Sequence, residues 1–399
     1  MVLTALLSIL LAATLPAMAS GSNETTPTAG EDEEASPSAE KPGLVRRYFD
    51  QILDDTPSNG EPQFLAYPVV AYTPETNLEL GVSSLYLFQA RRDPSNRLSE
   101  IPIFVFYTLN QQYGLWVDHV IFTDQARFSF LGESRFMDFP LKYYGIGIDA
   151  KYEDAVLVEA RQVQIRERVL VRLGDSDFYL GPEVGLNRMA RVRFSALEGG
   201  TVPSTLPRGG TGTTNLTLGA GFIRDTRHNP LNVRDGFFGE LAFLHSSDHL
   251  ISDYRFTNTF ADIRSYHPIV ENVIWANQFV AQAGFGDLPF NELSVVGGDS
   301  LMRGYYMGRY RDRTMTAAQT ELRFLPLRLG FTDRIGAAMF LAAGTVAPSV
   351  ADLSLSGVRV TGGAGLRFLT FPQSDIFTRL EVGISEDGPG LYLYVGEAF

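Results

Sequence analysis

The stretch from Gly297 to Arg313 reads Gly-Gly-Asp-Ser-Leu-Met-Arg-Gly-Tyr-Tyr-Met-Gly-Arg-Tyr-Arg-Asp-Arg. It holds four arginines, Arg303, Arg309, Arg311 and Arg313, interleaved with tyrosines and glycines. A guanidinium stays charged at every physiological pH and can make two parallel hydrogen bonds to one carboxylate, so the chemistry on offer is anion recognition and ion pairing rather than proton transfer. The segment after it alternates in polarity. Thr320, Leu322 and Phe324 fall on one face and Ala317, Gln319, Glu321 and Arg323 on the other, as expected of a strand. A loop that folds back onto that polar face brings Arg303 to Glu321, with Arg323 beside them. A loop left in water would instead present its arginines to solvent or to the phosphates of lipopolysaccharide.

Hydrolytic and metal chemistry have weaker claims. Gly298-Asp299-Ser300-Leu301 spells the signature of a family of serine esterases, but that motif belongs at a strand-to-helix turn with a base supplied elsewhere, and no such base is apparent. His245 and His249 are four apart, as helical metal ligands are, yet they flank Ser246-Ser247-Asp248 at an expected strand end. Gly362, Gly363 and Gly365 resemble part of a phosphate loop, with no helix after them. No catalytic residue, metal ligand or cofactor site is assigned.

The elements around the loop are strands. From Phe64 onward apolar residues recur with period two, as in Leu80, Val82, Tyr86 and Phe88, in Ile101, Ile103, Val105, Tyr107 and Leu109, and in Leu380, Val382 and Ile384. Sixteen strands are expected, starting near Phe64, Leu78, Glu100, Gly114, Arg127, Ala155, Asp177, Asn215, Phe237, Asp253, Asn272, Thr314, Thr332, Arg359, Ile376 and Gly390. Modest turns such as His228 to Gly236 and Pro326 to Gly330 alternate with long loops such as Met137 to Asp154, Arg191 to Thr214, Gly286 to Arg313 and Gly344 to Val358. An even strand count with long loops on one side is the pattern of an outer-membrane barrel, and closure satisfies every backbone group without water. The expected fold is an all-β, 16-stranded antiparallel transmembrane β-barrel over 64–399. In a soluble sandwich one face of each strand would pack in a core. Here the apolar face is matched by one carrying charge, read in the sixth strand as Glu159, Arg161, Arg166, Glu167 and Arg168.

Composition agrees. A net charge of −13 argues against nucleic acid as a partner, and the absence of cysteine removes disulfides and thiolate metal sites. Residues 1–19 read as a secretory signal peptide, with an apolar run from Val2 to Leu15 and Ala17-Met18-Ala19 before Ser20. Residues 20–43, centred on Glu31-Asp32-Glu33-Glu34, read as a disordered acidic tether. Leu44, Val45, Tyr48, Phe49, Ile52 and Leu53 recur at helical spacing, so 44–55 reads as a short amphipathic helix.

Gly297-Gly298, Leu301 and Arg303-Gly304-Tyr305, followed by a strand bearing Glu321 and Arg323, resemble the Arg-Gly-Phe/Tyr loop of the BamA/TamA superfamily, the bacterial surface-antigen barrels. Arg224-Asp225-Thr226-Arg227-His228-Asn229-Pro230-Leu231, with Arg234-Asp235-Gly236, is similar to that family's turn between the eighth and ninth strands. Tyr67-Pro68 with Thr73-Pro74-Glu75-Thr76 is similar to its first hairpin. The chain end, Leu391 to Phe399, resembles the recognition signal that closes such barrels. The resemblance implies a non-enzymatic role in outer-membrane biogenesis: polypeptide insertion or translocation, or lipid movement. It implies outer-membrane lipid and lipopolysaccharide as surroundings and leaves a protein partner or a homodimer open.

Two departures stand out. Too few residues lie between Ala19 and Phe64 for a periplasmic POTRA module, so the branch lacking them is the nearer likeness. The family's inward Asp on the thirteenth strand has Ala342 in its place, so the clasp is expected to rest on Glu321 alone and to be looser. Finally, Pro68 in the first strand lacks a donor, and Gly390 and Gly396 weaken the last strand, so a poorly zipped lateral seam is expected along Pro68, Gly390, Gly396 and Phe399. A passive diffusion channel or structural barrel is the alternative function.

Overall fold

The computed structural model describes residues 61–399 except 198–199, 228–231, 328, 331 and 373–374. The expected signal peptide, tether and amphipathic helix lie outside the described residues.

The strands are β1 (Gln63–Thr73), β2 (Asn77–Gln89), β3 (Leu98–Thr108), β4 (Tyr113–Phe122), β5 (Phe128–Asp138), β6 (Leu141–Tyr143), β7 (Val156–Arg172), β8 (Phe178–Ala196), β9 (Thr213–Asp225), β10 (Gly236–Ser246), β11 (Phe256–Val270), β12 (Val273–Gly286), β13 (Ser294–Val296), β14 (Tyr310–Asp312), β15 (Thr314–Phe324), β16 (Ile335–Ala347), β17 (Arg359–Phe371), β18 (Ile376–Ser385) and β19 (Gly388–Val395). β6 runs beside β7 in line with β5, and β13 and β14 pair with each other inside the longest loop, with an isolated bridge from Arg311 to Gly147. The other sixteen pair antiparallel in chain order, and β19 returns to β1, so the sheet is a closed barrel. Expected strand starts fall within a few residues of the observed ones; the largest shifts are at β11 and β16.

Polarity is inverted relative to a water-soluble protein. Leu80, Val82, Val105, Tyr107, Leu241, Phe243, Val382 and Ile384 are exposed, whereas the largest fully buried side chains are Arg303, Arg323, Arg367 and Arg379. A sheet with an apolar outer face and charged residues inside is at rest only when lipid replaces water outside. The charged run of the sixth wall strand, β7, needs correcting. Arg166 and Arg168 face inward, where both reach Glu240 (2.6 and 2.8 Å). Glu167 takes the opposite face, because side chains alternate, and lies 3.3 Å from His119. A register shift between Glu159 and Arg161 separates the first part of the run from the rest.

The longest connections, 139–155, 197–212 and 287–313, share one end of the barrel with the β1–β2 turn; 271–272 and 173–177 lie at the other. Long loops mark the extracellular end of such barrels and short turns the periplasmic one. Leu241 lies mid-strand on the outer face of β10. Replacing Leu241 by Arg should destabilise the barrel by about 2–4 kcal/mol, as a cation does near the bilayer midplane. Urea unfolding in lipid vesicles measures this.

Candidate functional site

The loop from 287 to 313 begins with a single helical turn, Phe290–Glu292, and is stiffened by the β13–β14 pair. Gly297 and Gly304 both adopt φ of 111°, which a side chain would strain. Gly304 also needs its bareness for space: a Cβ there would stand 2.8 Å from Thr361 Oγ1 and 3.0 Å from the Ile384 carbonyl carbon. Gly383 on β18 is the matching bare surface, since its Cβ would stand 2.6 Å from the carbonyl carbon of Arg303. Three side chains secure this backbone contact. Tyr392 accepts from Gly304 N–H (2.8 Å), Ser385 donates to the Gly304 carbonyl (2.8 Å), and Thr361 donates to the Arg303 carbonyl.

Held this way, the Arg303 side chain is fully buried against the inner wall. One terminal nitrogen donates to both oxygens of Glu381 at 2.9 Å, and the other donates to Glu321. The guanidinium lies over the Phe340 ring, 3.7 Å from its centroid. Arg323 donates to Glu321 (2.7 Å), while Arg367 and Arg379 donate to Glu381 (2.7 and 2.8 Å). Every carboxylate in this cluster therefore faces more than one guanidinium, the condition under which buried charge is tolerated. The expectation that Glu321 alone anchors the loop is corrected. Glu381 supplies the second carboxylate from β18. Ala342 does point inward, and it packs in an apolar cluster with Met302, Tyr305 and Tyr310 of the loop.

The remaining loop residues reach other extracellular segments. Met307 N–H donates to Glu75 (2.6 Å) in the β1–β2 turn, Arg309 pairs with Asp387 (2.6 Å) and Tyr310 donates to Glu386 (2.5 Å). Burial raises the Glu75 carboxyl above its ordinary range, partly offset by the Met307 N–H. Arg311 is different: it donates to the Phe290 carbonyl (2.7 Å), lies by the Tyr143 and Phe290 rings, and is pushed down to about 10 by burial. The esterase reading gains nothing. Ser300 offers its carbonyl to Gln319 (2.8 Å), and His245, near the end of β10, and His249, in the β10–β11 loop, are bonded to Thr257 (2.9 Å) and Arg255 (3.0 Å). Among the described residues no cluster could hold a metal.

The seam is short. β1 and β19 share one register pair, Tyr72 with Leu393, whereas β1 pairs with β2 along its whole length from Gln63 to Thr73. Its composition differs from the expected one. Pro68 pairs with Val82 and Gly390 with Gly383, each within its own hairpin. Gly396, at φ 93°, follows the last residue of β19, and Phe399 is not at the seam at all. It is buried inside the barrel with Tyr266, Ile274 and Phe377, and its carbonyl accepts from Arg323 (3.1 Å). Glu397 joins Arg367 (3.0 Å). The shortness of β19 and the inward turn after it, rather than a missing proline donor, leave the seam-side edge of the lower half of β1 unpaired. There Tyr67 packs on Phe371 of β17, with ring centroids 4.5 Å apart.

A closed sixteen-stranded barrel with an apolar outer band, an extracellular loop pinned inside and a nearly unzipped first–last strand junction defines a bacterial outer-membrane protein. Residues 162–372, more than half of the chain and including the whole arginine loop, match the Omp85 superfamily domain, and the chain belongs to that superfamily. Among solved structures, BamA from Haemophilus ducreyi lacking POTRA domains 1-3 is 12% identical with a TM-score of 0.52, covering 85% of this chain and 70% of that one. CdiB from Escherichia coli is 12% identical with a TM-score of 0.53, covering 88% and 69%. CdiB from Acinetobacter baumannii is 9% identical with a TM-score of 0.52, covering 84% and 59%. No curated protein matches the sequence.

Replacing Arg303 by Ala leaves Glu321 and Glu381 short of a cation and should cost about 3–5 kcal/mol, the range for a broken buried ion pair. Arg303→Lys should recover only part of this, because an ammonium lacks the fork that spans two carboxylates. Thermal unfolding in detergent, followed by heat-modifiable gel mobility, reads both.

Proposed function

We propose that this barrel inserts polypeptide into the outer membrane or passes it across, without enzymatic chemistry, using the β1–β19 seam as a lateral opening and the pinned loop as its internal brace. The observation that carries this is the single register pair between β1 and β19, against ladders of many residue pairs between consecutive strands elsewhere in the wall. Unpaired edge groups on the lower half of β1 are a template onto which an incoming strand can add, as exposed sheet edges do in strand-augmented complexes. Membership of the Omp85 superfamily supports the same reading. The partners are then outer-membrane lipid against the apolar band and a client chain at the seam.

A passive channel is the competing function, and the filled interior speaks against it. The arginine loop packs on β15 to β19 near the extracellular end, and Glu397 and Phe399 lie within the barrel beyond the end of β19.

The chain has no cysteine, so a Tyr72→Cys, Leu393→Cys pair forms the sole disulfide candidate across the seam. In proteoliposomes, oxidation of this variant should abolish insertion of an unfolded outer-membrane substrate, and reduction should restore it. Full activity in the oxidised form would sink the lateral route. Steady ion conductance that persists in the locked barrel would favour the channel.

A further inference from the structure

A second polar feature of the lumen lies across the barrel from the arginine cluster, between the Phe290–Glu292 turn and the inner faces of β5, β7, β8 and β9. It is a cavity of about 400 Å³, a size within the usual range for small-molecule sites. Asn187 and Asn215 are directly opposite each other in the β8–β9 ladder, and both donate an amide N–H to Glu292, that of Asn215 at 3.4 Å. This leaves Oδ1 of Asn187 and Oδ1 of Asn215 with no donor, although Asn215 is fully buried. Unmatched buried acceptors are costly and call for an occupant.

The charges around the cavity point to its kind. Arg135 is held by Asp118 (2.9 Å at the longer contact), Arg166 by Glu183 and by Glu240 (2.6 Å), and Glu133 by Arg168 (2.9 Å). Glu292 receives only the two amides, and among the described residues it forms no ion pair with a Lys or Arg. The site thus offers two amide oxygens and, in Glu292, a carboxylate with no positive charge beside it. A primary ammonium carries three N–H donors and that charge.

We propose that this cavity binds the primary ammonium group of a small organic cation, with Glu292 matching its charge and Asn187 and Asn215 accepting from it. A lysine side chain of a polypeptide in the lumen offers the same chemistry, so the source must be separated by experiment. Enclosure raises the Glu292 carboxyl to about 7. The charged form of Glu292 therefore dominates at pH 8 and the neutral form at pH 6.

The test is calorimetric titration of the full-length barrel in detergent with putrescine, 1,4-butanediol and a short lysine peptide. Putrescine should bind saturably at pH 8 and about tenfold more weakly at pH 6, as the ionised fraction of a group titrating between them dictates. Binding should be lost in Glu292→Gln and in Asn215→Leu, each checked for folding by heat-modifiable mobility, and butanediol should not bind. No saturable heat from putrescine, undiminished binding in folded Glu292→Gln, or equal binding of butanediol would each overturn the proposal. Tighter binding of the lysine peptide than of putrescine would overturn the small-cation assignment in favour of a polypeptide side chain.

Discussion

The contact between Arg303 and the two carboxylates of Glu321 and Glu381 is the constraint on which the lumen is arranged. A guanidinium taken out of water loses several kcal/mol of hydration, and only close, multiple carboxylate contacts recover it. Those contacts require the loop backbone to lie flat on the wall, which explains why Gly304 meets Gly383 and why Thr361, Ser385 and Tyr392 bond the main chain there. They also require further cations, because two buried glutamates facing one arginine leave an excess of negative charge. Arg323, Arg367 and Arg379 supply it.

The wall itself was legible from period-two alternation, because a barrel strand sees lipid on one side and polar lumen on the other. Leu80 and Val82 are outside and Glu321 and Arg323 inside, as alternation requires. Arg303 and Glu321 could be matched because only the rest of the loop and the first part of β15 separate them in sequence. Glu381 could not be found by that route. It is remote in the chain, and its nearness to Arg303 follows from barrel closure, which carries β18 round to the loop. A signal was present: Arg367, Arg379 and Glu381 are charged residues set in otherwise apolar strands, which marks them as inward and paired.

The seam was misjudged in its particulars for a related reason. Proline and glycine report a strand's intrinsic weakness, but how far two strands overlap depends on stagger and on where each leaves the sheet. β19 is the shortest strand of the wall, and the turn that ends it directs Glu397 and Phe399 toward Arg367 and Arg323. A terminal aromatic on an alternating strand looks the same in sequence whether it stays in the wall or turns inward.

The inward turn at Gly396 links two parts of the molecule that are otherwise separate. Arg323 bonds both Glu321 and the Phe399 carbonyl, and Arg367 bonds both Glu381 and Glu397. The loop's anchor and the tail of the closing strand thus draw on a common set of charges. Thermodynamic linkage makes such an arrangement reciprocal. Whatever free energy the docked loop lends to retention of the tail, the retained tail lends in equal measure to docking of the loop, so a chain that displaces one from the periplasmic side loosens the other at the cell surface.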